Sequence, residues 1–160
     1  MDKSAKRGVL LILLGILLVV IDQVIKVLVK TNMDLGEQIP VIGQWFRICL
    51  CGALVWWISS LNKKGKAPVG VLVGLTLITA GAFGNIIDSL FYGVIWDYAP
   101  VMFGKVVDMI YFPIIRSGER VIFFSPVFNF ADSCVTVGAF YLILFQWRFF
   151  AKDEKEEPQK

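Results

Sequence analysis

Apolar residues gather into four stretches along the chain, at about 8–30, 48–61, 68–91 and 126–150. A membrane-spanning helix needs roughly 20 apolar residues. The first, third and fourth stretches reach that length if their few polar residues face inward. The second, ICLCGALVWWISSL, covers only about 21 Å at 1.5 Å per residue and is marginal. The pattern predicts one all-α integral membrane domain of four transmembrane helices, followed by a polar tail at 151–160. Between the first two stretches, GEQIPVIGQWFRI at about 35–48 combines turn residues with apolar runs too short to span, which predicts a small extracytoplasmic β-element.

Composition agrees with this reading. Of 160 residues, 57% are hydrophobic and 18% charged, against about 45–50% and about 25% in soluble domains. The net charge of +3 is too mild to argue for nucleic acid. The basic residues sit at segment ends: Lys3, Lys6 and Arg7, then Lys63, Lys64 and Lys66, then Arg148 and Lys152. Positive flanks favour the cytoplasm, so both termini and the 62–67 loop are placed inside. The basic N-terminus followed by an apolar run mimics a secretory signal. It lacks a small-x-small cleavage site and reads as a retained helix. Small residues at Gly70, Gly74, Ala80 and Gly84 favour close helix contact. Cys49, Cys51 and Cys134 are odd in number, with no histidine to complete a metal site, and read as packing residues.

Polar residues break the apolar runs in a repeated form. FNFAD carries Asn129 and Asp132, and GNIID carries Asn85 and Asp88, both as Asn-x-x-Asp. Counted from the cytoplasmic ends, Asp22 lies about 21 Å up the first helix, Asn85 about 25 Å and Asp88 about 30 Å up the third. Ser125-Pro126 resembles an N-cap with proline at the first helical position, which places Asp132 about 9 Å below the outer start of the fourth helix. Three helices thus bring acids to the outer leaflet. Intramembrane acids cost about 2.5–3.5 kcal/mol on insertion scales and usually face a bundle interior or wet cavity. Residues three apart share a helix face, so each Asn can orient its own Asp or a nearby backbone group, and the two pairs are expected to face one another. Asp22 and Lys26 form an i,i+4 pair, either a structural ion pair or a contact to substrate. Asp108, in GKVVDMIYFP, is an acid among valines and aromatics. Asp97 reads as an interfacial turn.

Without histidine, a Ser-His or Cys-His system is unavailable. Paired carboxylates remain. Two acids about 3 Å apart share one proton, so one can accept a proton from water while the other donates to a carbonyl oxygen. Spacing alone allows Asp88 with Asp132 or Asp108 with Asp132. This chemistry needs no metal or organic cofactor.

Four motifs in order, IDQVIK (21–26), GNIID (84–88), VVD (106–108) and FNFAD (128–132), resemble those of the bacterial lipoprotein signal peptidase (signal peptidase II) family. The resemblance implies a four-helix aspartyl endopeptidase of the bacterial inner membrane. Its substrates would be diacylglyceryl-modified prolipoproteins, cut just before the lipidated cysteine. It implies Asp108 and Asp132 as the catalytic dyad. Asn85, Asp88 and Asn129 would orient the site and bind substrate backbone, with Asp22 and Lys26 in support. The site would face the periplasm in contact with membrane lipid, and globomycin, a cyclic peptide, would occupy the same pocket. A monomer is expected, with no nucleic-acid partner.

Three features depart from the family pattern. Ser89 stands where many members carry Arg after the GNxxD aspartate. The outer segments near 48–49 and 116–118 look short, and a backbone break is expected at each. Two other classes stand beside the peptidase: a small ion- or proton-coupled transporter, and a catalytically silent relative. Polar residues collected on one side argue against a conduit through both leaflets.

Overall fold

A computed structural model describes residues 2–32, 44–65, 67–107, 110–111, 115–117, 120–123 and 127–153. Helix α1 runs Lys3–Asn32, α2 Gln44–Lys64 and α3 Val69–Ile87. A π-helical turn, Asp88–Tyr92, and the short α4, Gly93–Ile95, continue α3. Strands β1 (Ile110–Tyr111), β2 (Ile115–Ser117), β3 (Arg120–Phe123) and β4 (Val127–Phe128) follow, then α5 (Phe130–Phe145) and α6 (Trp147–Asp153). Strand β1 pairs antiparallel with β4, and β2 with β3.

Burial is inverted relative to a protein in water. On α1, Leu10, Ile12, Leu13, Ile16 and Leu17 face outward, more than half exposed, while Asp22 and Lys26 are buried. An apolar exterior around a charged interior is stable where the surrounding medium is hydrocarbon. Lys3–Thr31 and Val69–Ile95 are long and apolar enough to cross a membrane, and Phe130–Phe145 is a shorter apolar helix. The chain is a mostly helical membrane protein.

Helix α3 lies between α1, α2 and α5 and touches all three. At its N-terminal half, Val71, Leu72 and Leu75 pack with Leu11, Leu61, Ala67 and Leu142. Lipid supplies no hydrophobic drive between helices, so close approach through small residues does that work. A Cβ on Gly138 of α5 would meet the Gly74 carbonyl oxygen and Ile78 Cγ1, each at 2.9 Å. Gly138→Ala therefore overpacks the α3–α5 contact, where backbone cannot yield. Thermal unfolding in detergent should show a loss of about 1–3 kcal/mol, and an unchanged midpoint would contradict this packing. At the basic end, Arg7 Nε donates to Asn62 Oδ1 (2.7 Å), Ser4 Oγ to Asn62 O (2.9 Å) and Asn62 Nδ2 to Ser4 O (3.1 Å). That clamp joins the start of α1 to the last turn of α2.

Several sequence expectations need correction. Gln44–Ile48 belong to α2, not to a β-element at 35–48, and residues 33–43 lie outside the described residues. The described strands lie instead at 110–128. Helix α2 passes unbroken through Ile48 and Cys49, which removes the expected break there. Arg116 and Ser117 are consecutive in β2, while Gly118 lies outside the described residues. The fourth apolar stretch divides at Gln146 into α5 and α6. Its helix starts at Phe130, not after Ser125, because Asn129 caps it. Of the cysteines, Cys51 and Cys134 are buried and Cys49 is exposed.

Candidate active site

The site starts from Lys26. An ammonium has three donors, and Lys26 Nζ has three acceptors: Asp22 Oδ2 at 2.8 Å, Asp88 Oδ2 at 2.7 Å and Asn85 Oδ1 at 2.9 Å. Lys26 and Asp88 are fully buried, and Asp22 nearly so. Asp22 and Lys26 meet because i and i+4 share a helix face. Gly84 lets α3 reach them, since a Cβ there would lie 2.5 Å from Asp22 Oδ2. Asp22 Oδ1 accepts from the Ala131 backbone N–H at 2.9 Å, which fixes α1 to the first turn of α5.

Gln23 extends the network. Its Nε2 donates to Asp88 Oδ1 (2.9 Å), Gly84 O (3.2 Å) and Asp22 Oδ2 (3.2 Å), and its Oε1 accepts from Tyr92 Oη (3.1 Å). Neither Gln23 nor Tyr92 was singled out by the sequence reading. The only cue was the position of Gln23 inside IDQVIK.

The π-helical turn at Asp88–Tyr92 widens the helix at the acid itself. Such turns release carbonyls from the ordinary ladder. Here Ser89 O accepts from Gly104 N (2.9 Å) and Leu90 O from Met102 N (3.3 Å), so the following loop folds back onto the turn. Ser89 is buried and its hydroxyl donates to Asn85 O at 3.0 Å. The position that departs from the family pattern thus serves packing.

The two Asn-x-x-Asp pairs behave differently. Asn129 and Asp132 form a reciprocal capping box on α5: Asp132 N donates to Asn129 Oδ1 (2.8 Å) and Asn129 N to Asp132 Oδ2 (3.3 Å). Asn85 does not orient its own Asp88. It reaches across to α5, where Nδ2 donates to Asp132 Oδ1 (2.8 Å) while Oδ1 accepts from Asn129 Nδ2 (3.0 Å). Asp22, Lys26, Asn85, Asp88, Asn129 and Asp132 therefore form one connected cluster. Asp132 is its one partly exposed carboxylate; Asp22 and Asp88 are sealed.

Asp108 lies outside the described residues; of the residues beside it, Val107 contacts the cluster and Ile110 pairs with a neighbour of it. Val107 N donates to Asp88 Oδ2 at 3.4 Å. Ile110 pairs with Phe128, the residue before Asn129. Away from the cluster, an apolar groove of about 440 Å³ opens between α1, α2 and α3, lined by Leu11, Ile16, Val55, Ile58 and Phe83 among others. It shares no residue with the polar network.

The comparisons agree on one family. A family model described as signal peptidase (SPase) II matches residues 46–148. A lipoprotein signal peptidase from Porphyromonas gingivalis is 36% identical over 188 positions, covering 86% of this chain and 83% of that protein. One from Amoebophilus asiaticus is 31% identical, covering 82% and 75%, and one from Chlorobaculum tepidum is 30% identical over 141 positions, covering 84% and 78%. Since 86% of 160 residues is about 138, some 50 of the 188 positions in the first alignment have no counterpart here. The Chlorobaculum alignment leaves far fewer unmatched, so the chain is short relative to some relatives and not to all. Two solved bacterial membrane enzymes, both crystallised in meso and 24% identical, share the fold with TM-scores of 0.58 and 0.61. They cover 84% and 94% of this chain, and 90% and 94% of their own.

Proposed function

Because the chain belongs to the signal peptidase II family, we propose that it is an intramembrane aspartyl endopeptidase that removes signal peptides from diacylglyceryl-modified prolipoproteins. Asp108 and Asp132 would form the dyad, and the cut would fall before the lipidated cysteine. One observation carries this assignment. Val107, the residue before Asp108, is held on Asp88, and Ile110, two residues after it, pairs with Phe128 ahead of the α5 cap that carries the partly exposed Asp132.

The chemistry is addition of water to the peptide carbonyl. One carboxylate accepts a proton from water as its oxygen bonds to the carbonyl carbon, and the partner acid donates its proton to the carbonyl oxygen. Collapse of the tetrahedral species returns a proton to the leaving nitrogen and breaks the C–N bond. Asp88 is ill placed for this work. It is sealed and engaged by Lys26, Gln23 and Val107 N.

The proposed setting is the bacterial inner membrane, crossed four times with both termini cytoplasmic and the cluster toward the periplasm. Basic residues at both ends of the chain and after α2 support that orientation. The strand pairs at 110–128 would stand on the outer side beside the cluster. Lipid would admit the diacylglyceryl chains, and a globomycin-type peptide would compete for the site. The transporter reading loses support because the Thr76 and Thr79 hydroxyls are tied to the Leu72 and Leu75 carbonyls at 2.8 Å. They offer no polar path toward the inner leaflet.

The test is substrate discrimination. Purified protein in lipid vesicles receives a diacylglyceryl-modified precursor and, separately, the same precursor unmodified. The modified precursor should be cut and the unmodified one left intact. Equal cleavage of both would remove lipid recognition from the account.

A further inference from the structure

Lys26 lies in none of the roles given to the dyad, yet every donor and acceptor between it and Asp132 is fixed in direction. We propose that Lys26 is a positioning residue that acts through Asn85 to hold Asp132 as the proton-accepting member of the dyad. This rests on the peptidase reading above.

The argument is one of hydrogen-bond polarity. An Asn side chain has an acceptor oxygen and a donor nitrogen of nearly the same shape, so its neighbours decide which way it points. Asn85 Oδ1 receives two donors, Lys26 Nζ at 2.9 Å and Asn129 Nδ2 at 3.0 Å. Reversing the amide would set its NH₂ against an ammonium and a second NH₂. Asn129 cannot reverse either, because its Oδ1 is held by the Asp132 backbone N–H at 2.8 Å in the capping box. With Asn85 Oδ1 committed, Nδ2 must face Asp132 Oδ1, 2.8 Å away. Asp132 Oδ2 receives the Asn129 backbone N–H at 3.3 Å. Both carboxylate oxygens thus meet N–H donors, and neither contact accepts a proton from Asp132. Asp132 is thus held as an acceptor, and in the proposed chemistry it takes the proton of the attacking water.

Lys26 can set this polarity because it is itself fixed. Its three donors are matched by three acceptors, one on its own helix and two on α3 and the π-helical turn that continues it. Asp22 and Asp88 hold the ammonium at a depth where solvent does not compete. The donor end of the relay is therefore fixed in place, and the Asn85 amide has one direction.

The experiment removes the ammonium without stranding its acids. In D22N/K26M/D88N the three charges leave together; the Asn at 22 keeps an oxygen for Ala131 N and the Asn at 88 keeps one for Val107 N, while Gln23 Nε2 retains Gly84 O. The apolar Met no longer claims Asn85 Oδ1. Thermal midpoint, kcat and KM are measured on the modified precursor in vesicles, beside the wild type. The expected result is a retained cooperative melt, KM within a few-fold and kcat lower by about 100-fold, the scale set by loss of catalytic-group alignment. A well-folded variant with wild-type kcat overturns the proposal. Should this variant fail to melt cooperatively, Asn85→Asp decides. It keeps an acceptor for Lys26 and Asn129 but has no N–H for Asp132, so kcat should fall similarly, and full activity overturns the proposal. Absence of cleavage by the wild type would instead refute the peptidase reading itself.

Discussion

Asp132→Asn should abolish measurable turnover, lowering kcat by about three orders of magnitude while the protein stays folded. General acid–base groups contribute roughly 10²–10⁴-fold, and no histidine is present to take over the role. An Asn at this position has one oxygen for the two donors that meet Asp132, so it can keep the Asn129 backbone N–H and the α5 capping box while the Asn85 Nδ2 contact is lost. The buried ion network of Asp22, Lys26 and Asp88 is not touched. Single-turnover cleavage together with a thermal melt reads both sides. A variant that melts like the wild type and retains a tenth or more of its rate would remove Asp132 from the chemistry.

Lys26→Met alone should be among the most destabilising single substitutions in the chain. It leaves the Asp22 and Asp88 carboxylates buried without a counter-ion, where breaking one partner of a buried pair costs about 3–5 kcal/mol. Asp22 also holds the first turn of α5 through Ala131 N, and Asp88 holds Val107 N. The disturbance would therefore spread to both segments that frame the dyad. Unfolding in detergent measures the loss, and the neutral triple variant should recover most of it. A melt within about 1 kcal/mol of the wild type for Lys26→Met, the range of an exposed pair, would show that the network is open to water.

Much of this cluster is visible in the chain because acids and lysines inside apolar runs are costly and need a reason to be there. Asp22, Lys26, Asn85, Asp88, Asn129 and Asp132 stand out for that cause alone. Gln23 and Tyr92 do not. An amide beside an acid is unremarkable, and Tyr92 closes a π-helical turn that no residue pattern announces. At the fourth helix two start signals compete. Ser-Pro at 125–126 is a strong one, but Asn129 with Asp132 makes a capping box whose two bonds outweigh it. Asn-x-x-Asp shares a helix face in mid-helix and not at a helix start. Strand pairing at 110–128 and the helical state of Gln44–Ile48 depend on tertiary contacts, which short mixed runs do not encode.

The most direct test of the central claim is the mass of the products. Wild-type protein in vesicles is incubated with a diacylglyceryl-modified prolipoprotein, and the fragments are weighed beside those from Asp132→Asn. The account predicts a signal peptide ending at the residue before the cysteine and a fragment beginning with the lipidated cysteine, both absent in the variant. Cleavage at another bond, or the same fragments from Asp132→Asn, would contradict it.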